Sequence, residues 1–194
     1  PEYLAKLNRE THLKAMYPRM LSGHFQGRML SMISKLVQPK AVLDIGTYTG
    51  YSALCLAEGL ADGGMVYTVD RNAETLKMAK EHVGETPLAD KIHFHEGEAL
   101  PYISGSDKKY DLVFIDAKKE EYLEYYKTVF NKLNAGGVIL TDNVLWSGMV
   151  ADPSFTGKST EALREFNDYV QADDNVDKVM LPLRDGLYLI RKKD

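Results

Sequence analysis

Residues 41–52 read AVLDIGTYTGYS, and this stretch decides the predicted fold. Ala41–Ile45 is a short apolar run with β-branched side chains, which is typical of a buried strand. Gly46 follows directly, and a glycine permits the sharp turn that leads from a strand into a helix. The stretch therefore predicts a strand, a tight turn and a helix that begins near Tyr51.

The alternation of strands and helices continues on both sides of this stretch. Helices are predicted over residues 2–16, 24–37, 51–61, 73–83, 98–103, 119–133 and 159–170. Further strands are predicted over residues 65–69, 91–95, 110–115, 137–141, 176–181 and 187–191. Strands that alternate with helices form a parallel sheet with helices on both faces. We predict an α/β fold with a doubly wound, mostly parallel sheet of seven strands, the last of them antiparallel.

Length and composition bound the class of protein. The 194 residues fit one domain, which we place at residues 1–194. The net charge of −4 argues against a protein that coats nucleic acid. The single cysteine, Cys55, excludes an internal disulfide framework and favours a reducing compartment. We find no apolar run long enough to span a bilayer, so the expected location is the cytoplasm.

Polar residues stand where four of the predicted strands end, namely Asp44, Asp70, Asp116 and the pair Asp142 and Asn143. Ligands of open α/β sheets bind outside the carboxyl ends of the strands. One acid at such a position is as readily explained by a helix cap. Four strand ends that carry such residues at one edge indicate a binding site.

The first turn favours one cofactor over another. A dinucleotide site needs a second glycine two residues after Gly46, where this chain has Tyr48, and that side chain hinders the approach of a pyrophosphate. S-adenosylmethionine has no pyrophosphate. Asp44 can bind the ammonium of S-adenosylmethionine, and the helix start and Ser52 can bind its carboxylate. Asp70 can bind its ribose hydroxyls.

A second group of residues suits a metal. Asp116, Asp142 and Asn143 supply two carboxylates and an amide oxygen, an incomplete oxygen shell that suits Mg²⁺ with water or substrate in the remaining positions. Lys119 follows Asp116 by three residues. A nearby cation disfavours its ammonium form, which makes Lys119 a candidate general base.

Four segments resemble the cation-dependent O-methyltransferases, a family that includes the caffeoyl-CoA and catechol enzymes and many small bacterial proteins. They are residues 42–52 (VLDIGTYTGYS), 114–117 (FIDA), 140–146 (LTDNVLW) and 181–187 (LPLRDGL). The resemblance runs in order over nearly the whole chain. It implies the Rossmann-like class I methyltransferase fold, with S-adenosylmethionine and a divalent cation as cofactors.

The resemblance also implies residue roles. The cofactor pocket would be lined by Met20, Ser22, Asp44, Gly46, Tyr48, Ser52, Asp70, Ala99 and Asp116. The metal ligands would be Asp116, Asp142 and Asn143, Lys119 and Asp116 would be the catalytic residues, and Trp146 would border the acceptor. Residues 1–38 would cap the cofactor and acceptor site, and family members are commonly homodimers.

The acceptor stays open at this stage. We expect a catechol-like or other vicinal-hydroxyl small molecule, because two neighbouring hydroxyls can chelate the metal. The alternatives are a hydroxyl of a modified tRNA uridine, a nicotinamide-dependent oxidation, and a non-catalytic cofactor-binding module. Residues 144–158, here called the rim segment, are predicted to form a mobile rim over the acceptor. Three tyrosines are predicted only to pack a helix: Tyr122, Tyr125 and Tyr126.

Overall fold

A computed structural model describes residues 1–194, which divide into two compact units, Pro1–Ala99 and Leu100–Asp194. The strands of the first unit are β1 (Ala41–Ile45), β2 (Met65–Asp70) and β3 (Ile92–Glu96). Its helices are α1 (Glu2–Lys14), α2 (Gly23–Val37), α3 (Tyr51–Ala57) and α4 (Ala73–Gly84), with short 3₁₀ helices at Pro18–Met20 and Ala89–Lys91.

The second unit contains the other four strands. They are β4 (Tyr110–Ile115), β5 (Leu133–Asp142), β6 (Val176–Leu181) and β7 (Leu187–Lys192). Its helices are α6 (Tyr122–Phe130) and α7 (Lys158–Ala172), with 3₁₀ helices at Lys119–Glu121 and Trp146–Ala151; α5 (Ala99–Ser104) begins at the last residue of the first unit.

The sheet topology confirms the predicted fold class. The strand order is β3-β2-β1-β4-β5-β7-β6 in one seven-stranded sheet. In the first unit β2 pairs in parallel with both β1 and β3. In the second unit β5 is parallel to β4, whereas β7 is antiparallel to β5 and β6. Only the last strand reverses direction, as the closely spaced sequence runs at 176–181 and 187–191 predicted.

Burial explains why the strands are nearly continuous apolar runs. The inner residues of β4, from Leu112 to Ile115, are all fully buried. Strands covered by helices on both faces have no solvent side on which polar residues could alternate. Cys55 is likewise buried within α3. No helix combines the length and the apolar character that crossing a membrane requires.

Two predicted helices end at least three residues earlier than expected. The helix predicted over 119–133 is a 3₁₀ turn followed by α6, and Leu133 already belongs to β5, where it pairs with Tyr110. Helix α3 ends at Ala57 instead of residue 61. A Cβ on Gly59 would lie 2.3 Å from the backbone nitrogen of Lys35, so the chain approaches α2 too closely there for any other residue. In both places a long-range contact overrides the local pattern.

Candidate active site

The turn after β1 has the conformation that its glycines allow. Gly46 has φ of 106° and Gly50 has φ of 89°, values that favour glycine. The Gly46 N–H donates to the Val69 carbonyl at 3.0 Å, which ties the turn to β2. Tyr48 also adopts a left-handed φ of 47°. A strained non-glycine residue at this position is a feature of functional loops, where the surroundings hold it in place.

Asp44 and Ser52 lie together, as the sequence predicted. Asp44 is fully buried, and its Oδ2 accepts hydrogen bonds from the hydroxyls of Ser52 at 3.2 Å and Thr68 at 2.7 Å. A hydroxyl–hydroxyl bond of 2.6 Å joins Thr68 to Thr47 in the turn. The sequence analysis missed both threonines. Parallel pairing sets Thr68 opposite Asp44, and no sequence spacing indicates this register.

Asp70 fixes two turns at the end of β2. Its Oδ2 accepts the Tyr48 N–H at 2.8 Å, and its Oδ1 accepts the Asn72 N–H at 3.0 Å. Asn72 in turn caps α4 by accepting from the N–H groups of Glu74 and Thr75. Each carboxylate oxygen has two lone pairs, so these bonds leave Asp70 with acceptor capacity for ribose hydroxyls.

The N-terminal segment is fastened to the same turn. The Tyr48 hydroxyl donates to the Tyr17 carbonyl at 2.9 Å. The buried hydroxyls of Thr11 in α1 and Thr49 in the turn are 3.0 Å apart. Burial raises the pKa of Tyr48, so its hydroxyl stays a donor at neutral pH. These bonds hold residues 11–17 on the turn that we predict to bind the cofactor.

The other predicted cofactor residues differ in exposure. Met20 ends the 3₁₀ helix Pro18–Met20 and is 57% exposed, which leaves its side chain free to meet a ligand. Ser22 is buried at the start of α2. Ala99 is buried at the first residue of α5. The first unit therefore brings Asp44, Ser52, Tyr48 and Asp70 around one turn.

In the second unit Lys119 connects the predicted metal ligands. Its Nζ donates to Asp116 Oδ1 and to Asn143 Oδ1, each at 2.9 Å. The side chain is only 11% exposed. Asp116 follows β4 and Asp142 ends β5, and these neighbouring parallel strands pair Ile115 with Thr141. Asp116 and Asn143 therefore meet at Lys119 Nζ, and Asp142 precedes Asn143 in the chain.

Tyr122 is a site residue that the sequence analysis assigned only to packing. It is fully buried, as predicted, and its ring packs edge-on against Phe166. Its hydroxyl accepts from Lys119 Nζ at 2.5 Å and donates to the Asp142 carbonyl at 3.1 Å. Burial, followed by the carboxylates of Asp116 and Asp142, raises the pKa of Tyr122 well above its ordinary value. Tyr122 lies three residues after Lys119, on the same helical face. This spacing was the one sequence signal that could have indicated its contact with Lys119.

Asp116, Asp142 and Asn143 form the donor set for a divalent cation. The Asp116 and Asn143 oxygens converge on one cationic atom, the ammonium nitrogen of Lys119. Asp142, which precedes Asn143 in the chain, is 98% buried. Asn143 has φ of 60°, a conformation that asparagine tolerates better than most residues. No cluster of three or more His, Cys, Asp or Glu residues occurs, and the predicted set contains two carboxylates and an amide. Hard oxygen ligands of this number fit Mg²⁺, which keeps several waters.

Trp146 lies beside this cluster at the start of the rim segment. Its ring centroid is 6.0 Å from Lys119 Nζ. Trp146, Ser147 and Gly148 all have positive φ, at 49°, 55° and 81°. Three consecutive left-handed residues persist only when their surroundings hold them.

The turn between β6 and β7 holds the start of the rim segment. Asp185 Oδ1 accepts the Ser147 N–H at 2.5 Å, and the Asp185 carbonyl accepts the Leu145 N–H at 2.9 Å. A Cβ on Gly186 would lie 2.5 Å from the Leu145 side chain, so this position requires glycine. Asp185 and Gly186 belong to the segment 181–187 that carries the family resemblance, but no role in the site was predicted for them.

Known proteins that are similar to this chain are O-methyltransferases. A family model described as O-methyltransferase matches residues 1–193. Caffeoyl-CoA O-methyltransferase 5 of Nicotiana tabacum is 34% identical over 99% of this chain and 85% of its own length. Caffeoyl-CoA O-methyltransferase 1 of Arabidopsis thaliana is also 34% identical, over 99% of this chain and 78% of its length.

Solved structures agree in the same way. An SAH-bound Podospora anserina methyltransferase is 29% identical, with a TM-score of 0.91 over 100% of this chain and 89% of that one. The Streptomyces achromogenes O-methyltransferase TomG, in complex with SAM, is 26% identical, with a TM-score of 0.91 over 100% of this chain and 91% of that one. Because the family model spans almost all of the chain, this protein belongs to the O-methyltransferase family.

Proposed function

We propose that this protein is an S-adenosylmethionine-dependent, divalent-metal-assisted O-methyltransferase that acts on a catechol-like or other vicinal-hydroxyl small molecule. One observation carries the metal and base assignment. Lys119 Nζ lies 2.9 Å from both Asp116 Oδ1 and Asn143 Oδ1, next to the Trp146 ring. The chain thus gathers a cation-binding oxygen pair, an amine and an aromatic wall in one place.

The cofactor assignment rests on the turn after β1 and on the relatives. The Podospora and Streptomyces neighbours were solved with SAH and SAM, and this chain matches them over its full length. Asp44 is the proposed partner of the methionyl ammonium, and Ser52 of the carboxylate. Asp70 is the proposed partner of the ribose. Gly46, Tyr48, Met20, Ser22, Ala99 and Asp116 are the remaining residues proposed to line the pocket.

The proposed metal ligands are Asp116, Asp142 and Asn143. When bound, a divalent cation such as Mg²⁺ supplies Lewis acidity that lowers the pKa of a coordinated hydroxyl and fixes its oxygen. This chemistry answers a need of the reaction, because a phenol with a pKa of about 10 is mostly protonated at neutral pH. Asp116 and Asn143 would hold such a cation through the same oxygens that accept hydrogen bonds from Lys119 Nζ.

The proton and the methyl group follow separate paths. The acceptor oxygen forms the new O–CH₃ bond while the S–CH₃ bond breaks, and S-adenosylhomocysteine leaves. Lys119 accepts the hydroxyl proton, and Tyr122 holds the Lys119 amine in place from its buried hydroxyl. Trp146 borders the aromatic ring of the acceptor. Holding both reactants in register supplies up to ~7–11 kcal/mol of the barrier reduction in favourable cases.

The acceptor class has two lines of support. The plant relatives at 34% identity are named caffeoyl-CoA O-methyltransferases, and caffeoyl groups carry two neighbouring hydroxyls. The half-buried Trp146 side chain, near Lys119, offers an aromatic surface for a ring. No observation favours the tRNA hydroxyl or the nicotinamide alternatives over this reading, and the cytoplasmic location stays a prediction.

A second copy of the chain is the proposed partner. Helix α2 exposes Phe25 by 65%, Met32 by 56% and Leu36 by 77%. Their spacings of seven and four residues set them on one helical face. Leu13 and Met16, at the end of α1, add exposed apolar surface. A homodimer that buries this surface would give twice the monomer mass in analytical ultracentrifugation. The substitution Leu36→Asp would convert the dimer to a monomer.

Methyl transfer to a panel of acceptors tests the function. Catechols, caffeoyl compounds and a hydroxyuridine RNA are assayed with radiolabelled S-adenosylmethionine and Mg²⁺, and again with a chelator. Transfer to the vicinal-hydroxyl compounds that disappears with chelator supports the proposal. Transfer that survives the chelator removes the roles of Asp116, Asp142 and Asn143. Transfer to the RNA alone replaces the acceptor class.

A further inference from the structure

We infer that Arg164 is a positioning residue that fixes the acceptor rim. The guanidinium of Arg164 uses every one of its N–H donors inside the second unit. One bond, of 2.6 Å, goes to the Glu161 carboxylate one turn earlier on α7. The other four go to backbone carbonyls of the rim segment, at Met149 (2.9 Å), Val150 (3.0 Å), Asp152 (2.5 Å) and Phe155 (2.9 Å).

Arg164 supplies hydrogen-bond donors for backbone carbonyls of the rim segment. An irregular loop has few backbone partners of its own, and its carbonyls otherwise bond to water. One planar fork here gathers carbonyls from residues 149–155. The rim segment was predicted from the sequence to be mobile, but these bonds hold it in place. The prediction missed them because the sequence pattern did not indicate a partner on α7.

Helix α7 also holds the beginning of the rim segment. Asn167 lies three residues after Arg164, on the same helical face, and its Nδ2 donates to the Val144 carbonyl at 2.9 Å. Asp185 holds Ser147 from the other side. The strained residues Trp146–Gly148 therefore lie between two fastened points, Val144 and Met149. Releasing the second point removes the support of the strained turn on its C-terminal side and leaves only the bonds at Val144, Leu145 and Ser147.

The role of Arg164 depends on its shape as well as its charge. A guanidinium presents five donors in a fixed plane, whereas a lysine ammonium is a single point with three donors. Lysine therefore keeps the charge and most of the length but does not span four carbonyls. Helix α7 itself is anchored by other side chains, since Leu163, Phe166 and Val170 are fully buried. Substitution of Arg164 should leave the helix in place.

The consequence for the enzyme rests on the proposed function. Trp146 is the proposed wall of the acceptor site, so a loosened rim weakens acceptor binding. The cofactor turn lies in residues 44–52, outside the rim segment. We therefore expect Arg164→Lys to raise the acceptor KM about tenfold, with kcat changed less than about threefold and the Kd for S-adenosylmethionine unchanged.

The test compares Arg164→Lys and Arg164→Met with Arg191→Lys and Glu161→Gln. Arg191 pairs only with carboxylates on the exposed surface of the second unit, Asp177 and Asp194, so it controls for loss of an arginine. Glu161→Gln removes the negative charge beside Arg164 and keeps the four carbonyl bonds. The readouts are acceptor KM and kcat, calorimetric Kd for S-adenosylmethionine, and amide hydrogen exchange of residues 146–156 compared with β4 and β5.

The expected result is that both Arg164 variants raise the acceptor KM and speed exchange in the rim by about tenfold, while both controls behave like the unmodified protein. Unchanged KM and unchanged rim exchange would overturn the inference. Faster exchange throughout β4 and β5, with KM and Kd weakened alike, would also overturn it, since that indicates a general structural role. If the unmodified protein transfers no methyl group, the proposed function fails, and the exchange measurement still decides whether Arg164 holds the rim.

Discussion

Lys119 Nζ and Asn143 Oδ1 lie 2.9 Å apart although 24 residues separate them in the chain. Lys119 begins the 3₁₀ turn before α6, and Asn143 follows β5 with a left-handed φ of 60°. A single lysine thus contacts oxygens that follow two neighbouring parallel strands. This relationship puts Lys119, the proposed general base, against oxygens that we propose to bind the metal, and the first two predictions follow from it.

Asp142→Ala should abolish metal-dependent methyl transfer. Removing one of two carboxylates leaves a shell too weak to hold Mg²⁺, so activity should fall at least about 100-fold at moderate metal concentration. Activity is measured across a Mg²⁺ titration, with metal binding followed by calorimetry. Asp177→Ala, at a 62% exposed position on β6, is the control and should keep full activity. Full activity of Asp142→Ala at saturating metal would contradict the chelation model.

Lys119→Met should lower kcat by about 10²–10⁴-fold, the usual contribution of a general base. The methionine fills a similar volume without an amine, so the fold should persist. The comparison is Lys118→Met, which removes the adjacent lysine and its bond to Glu121 and should cost little. Single-turnover rates separate the chemical step from product release. Equal rates for the two variants would exclude Lys119 as the base.

Tyr122→Phe should lower kcat while leaving the ring packing against Phe166 intact. The substitution removes the hydroxyl that contacts Lys119 Nζ and the Asp142 carbonyl. Leaving a buried partner unsatisfied costs about 1–3 kcal/mol, so thermal unfolding should also shift downward. Tyr125→Phe, which removes a hydroxyl bonded to Glu121, is the matched control. An unchanged kcat would return Tyr122 to a packing role alone.

Tyr48→Phe should weaken S-adenosylmethionine binding about fivefold. One net hydrogen bond, about 1 kcal/mol, holds the Tyr17 carbonyl to the cofactor turn, and its loss loosens residues 17–22. Calorimetry gives the Kd. Tyr188→Phe, whose hydroxyl contacts Gln171 in the second unit, serves as the comparison. Identical Kd values for the two variants would show that the tether does not shape the pocket.

Glu58 should make stability fall in acid. Burial alone raises its pKa, but hydrogen bonds from Arg28, Ser31 and Tyr3 outweigh burial and hold the pKa at about 2, below the usual 4.5. A depressed folded-state pKa contributes stability above the unfolded pKa, and this contribution is lost as pH falls from about 4.5 to about 2. The difference is on the order of 3 kcal/mol. Urea unfolding at several pH values measures it, and Glu58→Gln should flatten this acid dependence. An equally steep loss in the variant would assign the effect to other carboxylates.

Much of the fold was predictable because its signals are local. Strand β1 and strand β4 begin and end where the sequence predicted, since each is an apolar run bounded by a turn or a polar residue. The order of strand and helix fixed the parallel sheet, and the hairpin spacing fixed the reversed last strand. Exceptions were the end of α3, where the chain approaches α2 closely at Gly59, and the end of α6 with the start of β5, where pairing of Leu133 with Tyr110 outweighed helical periodicity.

The sequence by itself determined which residue types stand at the strand ends. Topology brings the ends of parallel strands to one edge, so these residues were expected to lie close together. It therefore predicted that Asp116 and Asn143 would meet near Lys119. Only the tertiary structure decided which side chains complete these groups. Thr68 joins Asp44 through strand register, Tyr122 supports Lys119 from inside the core, and Arg164 reaches carbonyls up to 15 residues away. Such partners depend on how helices and strands pack in three dimensions. The spacing of residues along the chain does not show which side chains of different elements come into contact.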